Sequence, residues 1–198
     1  MRPLLVATHN AGKLREIQAI LGSDVTLKTM SGYPEIPEVV ENGETFEANA
    51  IKKAVEVAEV TGMVTLADDS GLEVDALDGA PGVYSARFAG PNATDDLNNA
   101  KLLNLLADIP EAERQARFRC VIAVASPGDE PKTETGAWEG RIVNEARGGQ
   151  GFGYDPLFFS PEHGKTSAEL PRDTKNRASH RGKALRAAKT AILEALRD

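Results

Sequence analysis

The sequence is poor in the residues from which disulfides and histidine metal sites are built. It contains one cysteine, Cys120, and three histidines among 198 residues. A single cysteine cannot form a disulfide within one chain, which is typical of proteins of the reducing cytoplasm. The histidines, His9, His163 and His180, are far apart in sequence and lack the short spacing of zinc motifs. These shortages predict a cytoplasmic protein without a histidine-based metal site.

Long apolar runs and an excess of positive charge are also missing. No apolar stretch approaches membrane length, and the one that follows Met1 is too short for a signal peptide. The net charge of −7 argues against broad binding to nucleic acids. Residues 163–198 nevertheless contain nine Lys/Arg against four Asp/Glu. This basic end predicts a solvated helix face or a site for a small anion. The short apolar runs and the net negative charge together predict neither a membrane nor a nucleic acid as partner.

The hydrophobic pattern alternates between strand-like and helix-like segments, and the length suits a single domain of residues 1–198. Strands are predicted at 3–8, 25–28, 63–67, 116–125, 132–143 and 157–159, and helices at 13–21, 46–61, 94–107 and 178–196. Thr45 is expected to cap the second helix and Gly62 to end it. This order of elements predicts an α/β fold with a mixed sheet.

The first segment with chemical potential lies between the first predicted strand and the first predicted helix. It consists of Thr8, His9, Asn10, Ala11, Gly12 and Lys13. A helix N-terminus offers N–H groups and partial positive charge to an anion, and Lys13 adds a full charge. The segment therefore predicts a phosphate-binding turn or, alternatively, a plain turn capped by Asn10. It does not have the spacing of a P-loop.

The second segment places Asp68 and Asp69 where a predicted strand ends. Adjacent carboxylates repel each other, and Mg²⁺ would relieve that repulsion and bridge to phosphates. Side chains alternate along a strand, so the two carboxylates are expected to point to different faces. An Asx turn is the alternative.

The loop at residues 31–43 and its continuation are acidic. Four glutamates, Glu35, Glu38, Glu41 and Glu44, could each complete a metal site with Asp69, although at least two of them are expected to be merely solvated.

Two later segments could hold a nucleotide. Phe152 and Tyr154 lie in a glycine-rich turn and could stack on a base, with Asp155 to read a ring N–H; the alternative is a tight turn with its aromatic residues in the core. Lys175, His180 and Arg181 precede or open the last predicted helix. If this segment begins the helix, its cations oppose the helix dipole and call for an anion; the alternative is that they are simply solvated.

Six segments, in this order, resemble the inosine triphosphate pyrophosphatase family. They are residues 7–13, 43–50 with 53–54, 67–72, 79–87, 151–156 and 179–181. The resemblance implies hydrolysis of ITP, dITP and XTP to the monophosphate and pyrophosphate, which removes them from the nucleotide pool. It also implies Mg²⁺, a homodimer, and an elongated mixed sheet flanked by helices in two lobes with a central cleft.

The resemblance also assigns roles by residue match. Asp69 would be a metal ligand or the base for water, with Asp68 and Lys13 beside it in the catalytic group, and Ser70 would contact the substrate. The phosphates would be bound by Thr8, His9, Asn10, Ala11, Gly12 and Lys13. The base and phosphates would be bound further by Phe152, Gly153, Tyr154, Asp155, Lys175, His180 and Arg181.

Three positions depart from the family pattern. His9 stands where the family usually has Gly, which adds bulk and a donor beside the phosphates. Ala48, before Asn49, stands where Glu is usual. Val40 stands where relatives often carry an acidic residue, and Glu41 is therefore predicted as the second metal ligand beside Asp69.

Two rival functions remain open at this point. A Maf-type pyrophosphatase would keep the fold and change the substrate, but residues 8–13 do not match its S-x-S-P-R signature. A nucleotide sensor would bind without turnover, yet a pure binder gains little from the carboxylates of Asp68 and Asp69 beside phosphates.

Overall fold

The computed structural model describes residues 1–34 and 36–197. Its strands are β1 (Leu4–Val6), β2 (Leu27–Thr29), β3 (Thr65–Val74), β4 (Gln115–Ala125), β5 (Lys132–Ile142), β6 (Phe158–Ser160) and β7 (Lys165–Thr166). Within these residues they form one seven-stranded sheet in the order β2-β1-β3-β4-β5-β6-β7. β1 is parallel to β2 and β3, whereas β6 is antiparallel to β5 and β7. The predicted α/β fold with a mixed sheet is confirmed.

The helices follow the capping signals of the sequence. They are α1 (Ala11–Leu21), α2 (Phe46–Thr61), α3 (Asp95–Leu105), α4 (Arg172–Ala178) and α5 (His180–Ala195). The Thr45 side chain accepts a hydrogen bond from Ala48 N, and Gly62 ends α2 in the left-handed conformation. Thr94 caps α3 in the same way as Thr45 caps α2. None of the helices in the described residues is long and apolar enough to cross a membrane.

The structure differs from the sequence prediction in β3, in the segment before the last helix, and in β7, which was not predicted. β3 does not end at Ala67 but continues to Val74, so Asp68 and Asp69 lie within the strand rather than at its end. The pairing of β1 with β3 ends at Val6 and Leu66, so both carboxylates lie beyond the end of β1, one of the two strands beside β3. The predicted last helix is preceded by a separate one, α4, and Ser179 lies between the two.

The described chain divides into two compact units. The first comprises residues 1–69, 120–136 and everything described from 180 onward. Its core joins the packed helices α1 and α5 to the sheet through residues such as Leu4, Ile17, Ile122 and Leu185. Apolar side chains at helical spacing on α1 and α5 form this core.

The second unit comprises residues 70–119 and 137–179. Its core is richer in aromatic side chains. The Phe158 ring lies 4.5 Å from that of Phe118 and 5.1 Å from that of Trp138, centroid to centroid, in tilted arrangements. Leu72 and Leu170 complete the packing around them.

Candidate functional site

The turn between β1 and α1 leads directly into a helix N-terminus in the first unit. Asn10 is the N-cap of α1, and its side chain accepts a hydrogen bond from Lys13 N at 3.0 Å. Thr8 Oγ1 accepts from Asn10 N at 3.1 Å, which leaves the hydroxyl hydrogen of Thr8 to be donated elsewhere. His9 and Ala11 are exposed. The turn therefore has the features of an anion site that solvent can reach.

Asp68 is the centre of a buried group of charges. Its carboxylate lies 2.6 Å from Lys13 Nζ through Oδ1 and accepts a hydrogen bond from Arg181 Nε at 2.8 Å through Oδ2. The thiol of Cys120 donates to the same Oδ2 at 3.1 Å. Glu16, on α1, forms an ion pair with Arg181 Nη1. Two cations thus balance two carboxylates in a region from which water is largely excluded.

The partners of Asp68 decide its protonation state. Burial by itself would raise the pKa of the carboxyl, but attraction to Arg181 and Lys13 and their hydrogen bonds outweigh burial and hold the pKa well below its ordinary value. Burial lowers the pKa of Lys13 and of Arg181, but attraction to Asp68, joined by Asp69 for Lys13 and by Glu16 for Arg181, more than offsets burial, and both pKa values are raised. All three groups are therefore charged at neutral pH.

Asp69 faces a different environment, as expected from the alternation of side chains along β3. Its residue is 6% exposed. Burial raises the pKa of Asp69 from 3.8 to about 6, Lys13 and Lys53 oppose that rise, and Glu41 and Asp68 add to it. A carboxyl with such a pKa can exchange a proton near neutral pH.

Contacts with α2 hold Glu41 close to Asp69. It forms an ion pair with Lys53, a buried lysine of that helix. Two positions further along the loop, Gly43 N donates to Asn49 Oδ1 at 2.7 Å, and Asn49 Nδ2 donates to Gly43 O at 3.4 Å. The buried amide of Asn49 thereby fastens the loop that carries Glu41 to the first turn of α2.

The other acidic residues of this loop are less engaged. Glu38 and Glu44 are exposed, and Glu35 lies outside the described residues. Glu41 and Asp69 are close enough to raise the pKa of Asp69 by mutual repulsion. Across the described part of the chain, no group of three or more His, Cys, Asp or Glu side chains is placed to hold a metal ion. A cation here would therefore take two protein carboxylates and complete its shell with other ligands, as Mg²⁺ commonly does.

In the second unit, the glycine-rich turn is organised around Asp155. Gly151 has a φ of +84°, and a Cβ at this position would overlap the Asp155 carboxylate. That carboxylate accepts hydrogen bonds from Phe152 N at 2.9 Å and Ser167 Oγ at 2.8 Å, and it forms an ion pair with Lys175. Asp155 is 3% exposed. Its oxygens therefore order the turn and the lysine.

The two aromatic residues of this turn have different surroundings. Tyr154 is buried in the core of the second unit, and its hydroxyl donates to Ser85 O at 2.7 Å. Burial raises the pKa of the Tyr154 phenol. Phe152 is only partly buried, and the Lys175 ammonium lies 5.2 Å from its ring centroid. Stacking on a base, expected for both rings, is compatible with the position of Phe152 and not with that of Tyr154.

Three more of the predicted residues lie in β3, in the glycine-rich turn and on α4. Ser70 follows Asp69 in β3 and is half-buried, and Gly153 N donates to Asp95 Oδ2 at 2.7 Å. Lys175 is buried in the last turn of α4, where the helix dipole favours a cation. The cations at 175 and 177 therefore precede the last helix rather than open it, and the opposition to a helix dipole that was expected for cations opening that helix does not apply to them.

His180 and Arg181 are buried in the first turn of α5. Arg181 is 2% exposed and bound to Asp68 and Glu16, so its charge is already compensated by this chain's own carboxylates. An external anion is not needed to stabilise it there.

Sequence reasoning assigned no role to two residues of this group: Lys53, which it used only as part of the family resemblance, and Glu16. The signal for Lys53 was its position between Ala50 and Ala54 on the apolar face of α2, where a lysine is out of place. The signal for Glu16 was its spacing of three from Lys13, which puts both on one face of α1.

The comparisons with known proteins show the family of this chain. The model of the Ham1 family matches residues 4–191. A dITP/XTP pyrophosphatase of Geobacter sulfurreducens is 58% identical over 93% of this chain and 94% of its own, and one of Desulforamulus reducens is 55% identical over 93% and 92%. The solved HAM1 protein of Coxiella burnetii is 43% identical, has a TM-score of 0.88, and is covered over its full length by 98% of this chain. A family model that spans nearly the whole sequence, together with relatives of this identity, leads to one conclusion: the chain belongs to the Ham1 family.

Proposed function

We propose that this chain hydrolyses deaminated purine nucleoside triphosphates, ITP, dITP and XTP, to the monophosphate and pyrophosphate, and so removes them from the nucleotide pool. One observation carries the proposal. The carboxyl group of Asp69, with a pKa of about 6, lies beside Lys13 and the turn before α1, which has the features of an anion site. The names of the relatives that match over most of this chain support the same substrates.

The charges of the first unit support a requirement for a divalent cation. Lys13, Lys53 and Arg181 face four carboxylates, those of Glu16, Glu41, Asp68 and Asp69. This cluster cannot offset a triphosphate by itself, since its carboxylates already outnumber its cations when Asp69 is ionised.

The donor atoms fit Mg²⁺. Asp69 and Glu41 offer carboxylate oxygens, which Mg²⁺ prefers, and their mutual repulsion would be relieved by a cation. These two residues would hold it. When bound, it would offset the charge of the phosphates and of the leaving pyrophosphate.

The chain's own residues supply the remaining steps. The turn before α1, with Thr8 and Lys13, binds and orients the phosphates, because N–H groups and an ammonium converge there. The resemblance gave Asp69 as either a metal ligand or the base for water; as the base, it accepts a proton from the attacking water, a role for which its pKa of about 6 is suited. Asp68 positions Lys13 and Arg181 and, being buried and paired, stays ionised throughout.

In the second unit, the partly buried Phe152 and its neighbour Lys175 are proposed to select the purine base of the substrate. Inosine and xanthine present a 6-oxo acceptor, where adenine presents an amino donor. An ammonium has three N–H donors, so Lys175 can bind Asp155 and still donate to a 6-oxo group. An adenine would place a donor against a donor, which hydrogen-bonding sites reject strongly.

The test is an assay of the purified chain with Mg²⁺ and a panel of ITP, dITP, XTP, GTP, ATP and pyrimidine and modified nucleoside triphosphates, in which pyrophosphate and orthophosphate are measured separately. We expect pyrophosphate with the three deaminated purines and little product with ATP. Orthophosphate without pyrophosphate would contradict the proposed bond, and turnover of pyrimidine or modified nucleotides alone would favour a Maf-type enzyme. Tight binding with no product from any triphosphate would indicate a sensor.

A further inference from the structure

Gly136 lies in the middle of β5, where glycine is unfavourable unless another part of the chain comes very close. The close neighbour is the first turn of α5. A Cβ at position 136 would overlap His180 O and would approach Ala184 N to 2.7 Å. This carbonyl and this amide are four residues apart, the spacing that an α-helix joins by a hydrogen bond. Both belong to the backbone, so neither can move aside as a flexible side chain would.

The helix turn in contact with Gly136 carries the charge network of the first unit. Arg181 follows His180 directly, and its guanidinium binds Asp68 and Glu16. Asp68 in turn holds the ammonium of Lys13 at 2.6 Å. A displacement of the start of α5 by a few tenths of an ångström would therefore be transmitted to the hydrogen bonds of Asp68 and, through them, to Lys13.

We infer that Gly136 is a positioning residue: its missing side chain lets α5 approach β5 closely enough for Arg181 to reach Asp68 and thereby to fix Lys13. The inference rests on the proposed function for its consequence in catalysis, but its structural part does not. Gly136 itself contacts no substrate in this account. It lies outside all the segments on which the family resemblance was based.

The same strand offers a matched control. A Cβ at Gly140 would overlap Phe159 O and approach the Phe158 ring to 2.6 Å, which is a comparable steric conflict. That conflict lies in the second unit and involves neither α5 nor the charge network. Gly32, at which a Cβ would meet nothing within 4 Å, controls for the substitution itself.

The experiment compares Gly136→Ala, Gly140→Ala and Gly32→Ala with the parent chain by two readouts. The first is the rate at which a maleimide labels Cys120 in the native protein. Cys120 is the single thiol, it is buried, and it donates to Asp68, so its labelling reports on the packing of the network independently of any activity. The second readout is KM and kcat for dITP with Mg²⁺.

We expect the maleimide to label Cys120 about tenfold faster in Gly136→Ala than in Gly140→Ala when the two are compared at equal thermal stability. We also expect Gly136→Ala to raise KM for dITP about tenfold with a smaller change in kcat, because small displacements of binding groups are costly. Gly140→Ala is expected to lower the melting temperature with KM within about twofold of the parent. Equal labelling rates and equal KM in the two variants would overturn the inference. If no triphosphate is turned over at all, the proposed function fails, and the labelling arm still decides the role of Gly136.

A double-mutant cycle with Glu16→Gln tests the route of the effect. If Gly136 acts through Arg181, its effect on labelling and that of Glu16→Gln are not additive, whereas Gly140→Ala and Glu16→Gln are additive. Additivity in both pairs would contradict the inference. Should Gly136→Ala fold poorly, all variants are measured with trimethylamine N-oxide, which favours the folded state.

Discussion

At the scale of single residues, Asp68 and Asp69 show how adjacent carboxylates acquire different properties. Both are buried, but Asp68 is surrounded by two cations and Asp69 by a mixture of charges. Attraction keeps the pKa of Asp68 low, and burial raises that of Asp69. The difference separates a carboxylate that orders its neighbours from one that can take up a proton.

We predict that Asp69→Asn lowers kcat by roughly 10²-fold or more, because the amide cannot accept a proton from water. In the parent chain the proton-accepting form prevails above the pKa of about 6, so kcat/KM should rise with pH through this value when the metal is scarce. Steady-state kinetics from pH 5 to 8 checks both points. Near-normal turnover of the variant would refute the assignment of Asp69.

The raised pKa of Asp69 also predicts that Asp69→Asn, which lowers kcat, increases the stability of the fold. A carboxyl whose pKa is raised on folding contributes stability that is complete below the unfolded value and is lost as the pH rises through about 6. Asp69→Asn stays neutral, so the variant should be roughly 2–3 kcal/mol more stable than the parent at pH 7.5 and about equal to it at pH 4. Urea unfolding in a metal chelator measures the difference. A variant that is less stable at pH 7.5 would contradict the prediction.

Asp68→Asn should have the reverse effect. It leaves Lys13 and Arg181 buried beside a neutral group, and breaking such a pair costs about 3–5 kcal/mol. The pKa of Asp68 is lowered on folding, so this stability is present above the unfolded value of about 3.9 and is lost as the pH falls through the lower folded value. The gap between parent and variant should therefore be full at pH 7 and should shrink progressively as the pH falls below about 4.

The control for this experiment is Asp75→Asn, which removes an ion pair with Arg117. The Asp75 side chain is 49% exposed, and such surface pairs contribute less than about 1 kcal/mol. Equal losses in the two variants would show that the burial of Asp68 has no special importance.

At the scale of elements, the two aromatic residues of the turn at 151–155 are predicted to differ in function: Phe152 contributes to base binding and Tyr154 to stability. Phe152→Leu should raise KM for dITP about tenfold, since a base stacked on an aromatic ring gains about 1–3 kcal/mol. Tyr154→Phe removes the hydrogen bond to Ser85 O and should cost about 1–2 kcal/mol in stability, with KM unchanged. Kinetics and thermal unfolding of both variants check this division. An unchanged KM in Phe152→Leu would remove Phe152 from the proposed base site.

The loop before α2 allows a similar comparison among its glutamates. Glu41 is paired with Lys53 and close to Asp69, whereas Glu44 is exposed. We expect Glu41→Gln to weaken the apparent affinity for Mg²⁺ about tenfold or more, because a carboxylate ligand is lost, and Glu44→Gln to leave it unchanged. Titration of each variant with Mg²⁺, followed by calorimetry and by activity, measures the effect. Equal affinities in both would exclude Glu41 as a ligand.

Elements also show which parts of the fold were predictable. The bounds of α2 were predicted correctly because a threonine cap and a left-handed glycine are local signals. The separate helix α4 and the two-residue strand β7 were missed, since elements of this length depend on their tertiary partners. β3 continues through Asp68 and Asp69 for the same reason: pairing with neighbouring strands, and not the polarity of the two residues, determines where it ends.

At the scale of the whole molecule, the homodimer and the cytoplasmic location that the sequence analysis predicted stay predictions. We expect light scattering at micromolar concentration to give twice the mass of one chain, with or without nucleotide. A single-chain mass under these conditions would remove the dimer from the account. Measurements at several concentrations and in the Gly32→Ala variant provide the control for nonspecific association.

The sequence by itself determined the fold class and the caps of α2 and α3, because these depend on hydrophobic periodicity and on contacts within a few positions, and it supplied the residues proposed to bind phosphate and metal. Only the tertiary structure decided what each charged group does. Lys13 lies 55 positions and Arg181 113 positions from Asp68, yet their contacts with it fix its ionisation. Burial and pairing between such distant residues set pKa values, placed Tyr154 in the core and made Gly136 necessary, and no local pattern records them.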